Sequence, residues 1–441
     1  MGGLIMAAQL IAGLSLLVLV HEFGHFAAAR MFGMRCDKFF IFFDAWGKKL
    51  WSKKIGDTEY GIGWLPLGGY VKIAGMIDET MDKEAMKEEP QPWEFRSKPA
   101  WQRFIVMIGG IVMNLITGVI IFSAYIMVYE KDYIPAESVN QIYAFETADS
   151  LGFKTGDKII AVNGKMPKRF KDVVGYEMMF GADVEVDRNG ERKIISLPDD
   201  LFNTLKGQRF LESINHSVSV WGVMENTGAA NAGLLENDKF LKINGLDVTN
   251  FGVLSDELKA NKSKDVKLEI ERAGEVKQLT ALVGEDGKLG FGPKFDRKAS
   301  NPVKEYSFYD SVVYGSKEGW DAIYYNAVGM GKMFTGKINP VESLQSPIGI
   351  ARKIYGPVWH WDRFWKITGL LSFILAFMNI LPIPALDGGH MLFLSYEMIT
   401  RRKLSDEFLE RAQMVGMLIL IPLMLFILGK DLLEIVKDFF M

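Results

Sequence analysis

The chain has 441 residues, 49% of them hydrophobic, with 51 basic and 54 acidic side chains and a net charge of −3; such averages match a soluble protein of two or three domains. The distribution excludes that class, because four uncharged runs hold 82 residues and all 105 charged side chains fall in the other 359. The near-neutral balance excludes a nucleic-acid binder and the apolar content a disordered chain, while the lone cysteine, Cys36, excludes an intrachain disulfide framework and any multi-cysteine zinc site.

The first uncharged run is 1–20. A helix rising about 1.5 Å per residue needs roughly 20 apolar residues to cross a ~30 Å hydrocarbon core, so this run predicts a membrane span. It lacks a basic leading region and is longer than the apolar core of a secretory signal, which separates it from that alternative. The run ends in His21-Glu22-Phe23-Gly24-His25. Residues four apart share a helix face, so His21 and His25 can offer two imidazole nitrogens to one ion, with Glu22 beside it. The pattern suits zinc, with Glu22 as the base that takes a proton from a polarised water and passes it to the leaving amine. An ionisable group inside a span costs on the order of 2.5–3.5 kcal/mol, so such groups are kept mainly where they serve a site. The competing reading is a solvated helix end just past the bilayer.

Residues 58–75 carry Gly61, Gly63, Gly68, Gly69 and Gly75, which permit tight turns and close backbone approach. Run 104–129 predicts a second span. The long segment that follows repeats itself: Gly152, Asp157, Asn163 and Gly164 recur 81 residues later as Gly233, Asp238, Asn244 and Gly245, with an alternating apolar strand between them. Downstream of each copy a strand enters a glycine turn, at 184–191 and 268–275. Two similar small domains, 130–212 and 213–297, are the simplest account. Stretch 298–366 turns aromatic, with Tyr306, Phe308, Trp320, Trp361 and Trp365 among its members. It is expected to be an amphipathic segment at the membrane interface, with ordinary packing against the small domains as the alternative.

Run 367–386 predicts the third span and 414–429 a shorter fourth one carrying Pro422. The third ends in Asn379-Ile-Leu-Pro382-Ile-Pro384-Ala-Leu-Asp387-Gly-Gly-His390. Lysine and arginine cluster after the first span, before the second and after the third, which places those loops in the cytoplasm and both termini and the long segment outside. Arg363 and Lys366 run against this pattern. The first and third spans then run in the same direction, so Asp387 reaches the leaflet of His21 and His25 and can supply a third zinc ligand, leaving a fourth position for water. Pro382 and Pro384 prevent a regular helix, and irregular backbone at membrane depth is tolerated where it lines a protein-enclosed or wet cavity. Asn379 can pair with exposed substrate backbone or with a neighbouring span. His390 can be a ligand, although a supporting role behind the three ligands fits better.

The two motifs together, on the first and third spans, resemble the site-two protease family of intramembrane zinc metalloproteases. The repeat resembles the core of PDZ domains, and tandem PDZ-like domains between the second and third of four spans resemble the branch that regulates sigma-E. The resemblance implies a multi-pass α-helical membrane protein with four transmembrane helices, a membrane-re-entrant β-hairpin at about 58–75 and two β-rich PDZ-like domains. It implies one zinc ion held by His21, His25 and Asp387, with Glu22 as the catalytic base and Asn379, Pro382 and Pro384 accommodating the substrate helix. The expected substrates are single-span membrane proteins of the anti-sigma-factor type, and in some members remnant signal peptides. The expected location is the bacterial inner membrane, with the PDZ-like domains periplasmic and the active site toward the cytoplasm. Those domains either bind peptide by adding a strand to a sheet edge or exclude untrimmed substrates by size. Ile111 stands where relatives often have proline, and 42–47 matches the family loop poorly. A catalytically silent scaffold that uses the PDZ-like domains to bind extended peptides is the rival account.

Overall fold

The computed structural model describes residues 2–66, 68–76, 89–205, 209–214, 217–296, 303–337, 346–356 and 358–440. Leu67 of the expected hairpin, residue 297 of the second small domain, and 298–302, 338–345 and 357 of the expected aromatic segment lie outside the described residues. The chain divides into two units, Met1–Glu130 with Ser307–Met441, and Lys131–Tyr306.

Among the described residues, the first unit has six helices of 14 residues or more: α1 (Gly2–Met31), α2 (Ala100–Tyr125), α3 (Phe308–Phe334), α4 (Trp361–Ile380), α5 (Asp387–Thr400) and α6 (Asp406–Phe440). Four of them, α1, α2 with its continuation to Glu130, α4 and α6, are long and apolar enough to cross a membrane. The third expected span differs in its bounds. Helix α4 starts at Trp361, taking in Asp362, Arg363 and Lys366, and stops at Ile380. Pro382 and Pro384 lack the N–H groups needed to continue the ladder, so the tail of run 367–386 is a loop that re-enters a helix at Asp387.

Helices α1 and α2 cross where neither has a side chain. A Cβ on Gly24 would lie 2.2 Å from the carbonyl oxygen of Gly109, and one on Gly109 would lie 2.6 Å from that of Gly24. Small residues let two apolar helices approach until their backbones touch, and van der Waals packing then supplies the attraction. Helix α3 begins with a capping box in which Ser307 and Asp310 satisfy each other's backbone N–H groups. It packs on α2 and α4, with Gly315 set against Ser123 and Gly319 against the ring of Phe373. That part of the aromatic stretch therefore rests on the other helices of its own unit.

Between α1 and α2 lie strands β1 (Cys36–Phe40), β2 (Lys49–Ile55), β3 (Thr58–Gly63) and β4 (Tyr70–Ile73), in the sheet order β2-β3-β1-β4. The arrangement corrects the hairpin expected at 58–75. Strands β3 and β4 are not partners, because β1 inserts between them, parallel to β3 and antiparallel to β4. The hairpin is β2–β3, closed by the turn at Gly56, whose φ of 61° suits a residue without a side chain. Strand β4 is consequently an edge, and beyond β1 no strand pairs with it among the described residues.

The second unit contains two sheets that repeat each other. Lys158–Val162, Asp183–Arg188 and Glu191–Ser196 form an antiparallel sheet over a core including Phe153, Val184 and Val186. Lys239–Ile243, Asp265–Arg272 and Glu275–Leu282 form its counterpart over Phe240, Leu268 and Ile270, with Ser217–Val223 and Phe291–Asp296 added on one side. The recurring motif residues do the same work twice. Asp157 is buried and accepts two hydrogen bonds of 2.7 Å from Arg188, whose Nη2 also donates to the Gly152 carbonyl at 2.7 Å. Asp238 is buried likewise, with two 2.6 Å bonds from Arg272 and a 2.8 Å bond from that arginine to the Gly233 carbonyl. Asn163 and Asn244 hold φ values of 48° and 49° and accept from the backbone N–H groups of Asp183 and Lys267. The subdomains meet where Tyr143 packs on Gly252 and donates to Asp256, and where the Arg209 guanidinium lies 4.0 Å and 4.5 Å from the ring centroids of Phe251 and Phe295.

Candidate metal centre

The site is built from three helices of the first unit. His21 and His25 sit one turn apart on α1, their rings 4.7 Å apart and nearly perpendicular. Asp387 opens α5, delivered there by the loop that Pro382 and Pro384 force. The loop is clamped by bare backbone: a Cβ on Gly388 would lie 2.2 Å from the Leu381 carbonyl oxygen, one on Gly389 2.5 Å from that of Ile383, and one on Gly416 of α6 1.7 Å from that of Pro384.

The Nε2 atoms of the two histidines are 3.2 Å apart, and Asp387 Oδ2 lies 3.1 Å from one and 3.3 Å from the other. Oδ2 is buried and has no hydrogen-bond donor. Zinc bonds of about 2.0–2.1 Å at tetrahedral angles place ligand atoms about 3.3 Å apart, so the three atoms fit the edges of one face of such a site. Among the described residues these three side chains form the group able to hold a metal ion.

Helix α2 closes the back of the cluster with Val106, Gly110 and Asn114, which are four residues apart and therefore share a face. His25 Nδ1 donates to the Val106 carbonyl oxygen at 2.8 Å, so its Nε2 is the bare nitrogen and faces the cluster. Gly110 lies under both rings, and a Cβ there would be 2.5 Å from His25 Nε2 and 2.6 Å from His21 Cε1. Asn114, fully buried, places its carboxamide 3.2 Å from His21 Nδ1.

A cavity of about 600 Å³ opens in front of the three ligand atoms. Glu22 lines it from α1, Asn379, Asp387 and His390 from the α4–α5 region, Gln413 from α6, and Gly68 to Ile73 from β4 and the loop before it. Gly69 brings that segment close: its Cβ would lie 2.9 Å from Val18 Cγ1 and 3.5 Å from Glu22 Cγ. At the rim, Asp44 accepts from Lys38 and from the Tyr70 hydroxyl, both at 2.7 Å.

His21, Glu22, His25 and Asp387 are thus brought together around one cavity. Asn379 joins them, its Nδ2 3.5 Å from His21 Nε2, and His390 lines the same cavity without entering the ligand cluster. Pro382 and Pro384 do not line the cavity and act on the backbone that carries Asp387. The contributions of Val106, Gly110 and Asn114 went unassigned in the sequence. A glycine and an asparagine four residues apart inside an uncharged run were the available signal, since a polar amide in a span needs a partner.

Residues 9–423 match the family model of peptidase family M50. The chain belongs to that family, the site-two proteases. It is 28% identical to the regulator of sigma-E protease RseP of Escherichia coli over 456 residues, covering 96% of this chain and 97% of that protein. A protein described as a putative zinc metalloprotease of Vibrio cholerae is 28% identical over 455 residues, covering 96% and 97%. The metalloprotease MmpA of Caulobacter vibrioides is 27% identical over 465 residues, covering 98% and 96%. The M50 chain is accordingly a membrane metalloprotease, with the His-Glu-x-x-His helix and the Asp387 turn inside the matched region.

Proposed function

We propose that this M50 peptidase is a zinc-dependent intramembrane endopeptidase that cleaves the transmembrane segment of single-span membrane proteins. The carrying observation is the ligand triangle of His21, His25 and Asp387, set between helices long enough to span a membrane and open to a large cavity. Zinc, when bound, supplies polarisation of a water molecule and of the substrate carbonyl. Glu22 takes the proton of the attacking water and gives it to the leaving nitrogen as the carbon–nitrogen bond breaks. The Asn379 amide donates to substrate backbone beside His21.

A helical peptide bond is shielded by its own hydrogen bonds, so a spanning substrate must be extended locally before water reaches it. Strand β4 offers the means. Its outer edge, which no further strand covers among the described residues, lines the cavity, and an extended substrate segment can add there as another strand. Pro382 and Pro384 serve the substrate by keeping the α4–α5 backbone non-helical next to it.

The relatives named as sigma-E regulators make anti-sigma factors the first substrates to test, in regulated intramembrane proteolysis at the bacterial inner membrane. The two repeated subdomains are PDZ-like, on the outer side, and bind peptide or hold back untrimmed substrates; the catalytic cavity faces the cytoplasmic leaflet. Purified Glu22→Gln protein is expected to keep one zinc per chain and its fold while losing cleavage of a single-span substrate. Undiminished turnover would refute the assignment. Absence of zinc from the wild-type protein would favour a silent scaffold.

A further inference from the structure

The two histidines are held by unlike partners. A backbone carbonyl can only accept, so Val106 fixes His25 as the Nδ1–H tautomer with Nε2 free. His21 faces a carboxamide, which can donate or accept. As placed, Asn114 Nδ2 lies 3.2 Å from His21 Nδ1, while Asn114 Oδ1 is buried with no partner. Asn379 Nδ2, 3.5 Å from His21 Nε2, calls for a bare Nε2, whereas the Asn114 amide donating to Nδ1 calls for the tautomer protonated on Nε2. A histidine in that tautomer cannot ligate through Nε2. Ligation requires the proton on Nδ1, and Nδ1–H requires an acceptor.

Resting on the zinc-peptidase reading of this site, we infer that Asn114 is the positioning residue for His21. It turns its carboxamide so that Oδ1 accepts from Nδ1–H when Nε2 binds metal, and Nδ2 donates to Nδ1 when it does not. The turn exchanges two atoms of nearly equal size in place, so it needs no repacking around a side chain with no solvent exposure. It gives the buried Oδ1 a donor while Nδ2 gives up its contact with Nδ1. Val106 and Asn114, eight residues apart on one face of α2, thus orient both imidazoles from a single helix, one through a fixed acceptor and one through a reversible one. Groups behind metal-bound histidines commonly set ligand affinity by factors of about 10–100.

The test measures zinc affinity of the full-length protein in detergent by competition with a chromophoric chelator, alongside the melting of the zinc-free form. Asn114→Leu, similar in size and unable to accept, is expected to weaken zinc binding about 10- to 100-fold with the zinc-free melt unchanged. Asn114→Asp, which always presents an acceptor, is expected to bind zinc at least as tightly as wild type. Equal affinity in wild type and Asn114→Leu overturns the inference, and so does a tenfold loss in Asn114→Asp, which stands as a test even if the leucine variant does not fold. A wild-type protein without zinc would instead overturn the proposed function itself.

Discussion

Gly110→Ala is the most exacting substitution the metal centre offers. The added methyl would begin 2.5 Å from His25 Nε2, 2.6 Å from His21 Cε1 and 2.8 Å from His21 Nδ1. Ordinary carbon contacts start at about 3.4–3.5 Å, so helix and rings must part by roughly 0.9 Å. The helices have little room to give, because α1 and α2 already touch at Gly24 and Gly109. The rings therefore move, by several times the ~0.2 Å within which metal–ligand distances are held. Overpacking of this kind costs about 1–3 kcal/mol, and if the strain is released by losing the metal geometry, zinc affinity falls roughly 5- to 150-fold. Chelator competition and elemental analysis on the purified variant measure the loss, with circular dichroism to follow the helices. Wild-type zinc affinity in Gly110→Ala, with helices intact, would refute the claim that the bare backbone of α2 sets the imidazole positions.

Zinc removal is expected to lower the melting temperature of the first unit without emptying its helices, since a ligand at 100 times its Kd contributes about 2.7 kcal/mol to the folded state. Scanning calorimetry with and without chelator checks this, and identical melts would count against it. Arg272→Met should destabilise the second subdomain by about 3–5 kcal/mol, because Asp238 is left charged and buried without its bidentate partner; hydrogen exchange across 217–296 should rise selectively. Tyr143→Phe removes a charge-assisted bond to Asp256 and should loosen the contact between the two subdomains by about 1.5–3 kcal/mol. Burial, then the bond to Asp256, push the Tyr143 phenol above its ordinary value. The contact should therefore persist at neutral pH and be lost only as pH rises through that raised value, followed by exchange of the backbone around Gly252.

Much of the candidate metal centre is legible in the chain because its signals are local. Charge at the end of an uncharged run marks His21, Glu22 and His25, and two prolines mark the break before Asp387. Three of the four long apolar helices follow from the length of their uncharged runs, while the shorter fourth run, 414–429, marks only the middle of α6. What could not be read depends on partners distant in sequence. The pairing of β1 between β3 and β4 is a long-range choice that glycines at 61–75 do not encode, so the segment looked like a hairpin. Helix α4 starts ahead of run 367–386, taking in Asp362, Arg363 and Lys366, because a helix can extend past the apolar run that marks it. The repeat predicts two similar subdomains, and its aspartates and asparagines are used identically in both; the arginines that each aspartate requires, 31 and 34 residues further on, lie in the recurring strands 184–191 and 268–275, but the pattern does not show that they pair with the aspartates.

The ligand set also changes how the chain is connected. Asp387 is 362 residues beyond His25, so an ion shared between them closes a loop containing most of the protein, including the whole Lys131–Tyr306 unit. Such closure restricts an unfolded chain more than a local bridge would, by an amount that grows only slowly with loop length. On the proposed reading the ion would also be a removable fastener between two pieces of scaffold, the glycine-crossed pair α1 and α2 on one side and the α4–α5 turn on the other. The proposed metal centre would then be as much a joint as a reaction site, and separating the two pieces by a few ångströms would disarm the protease without altering a single residue of its motifs.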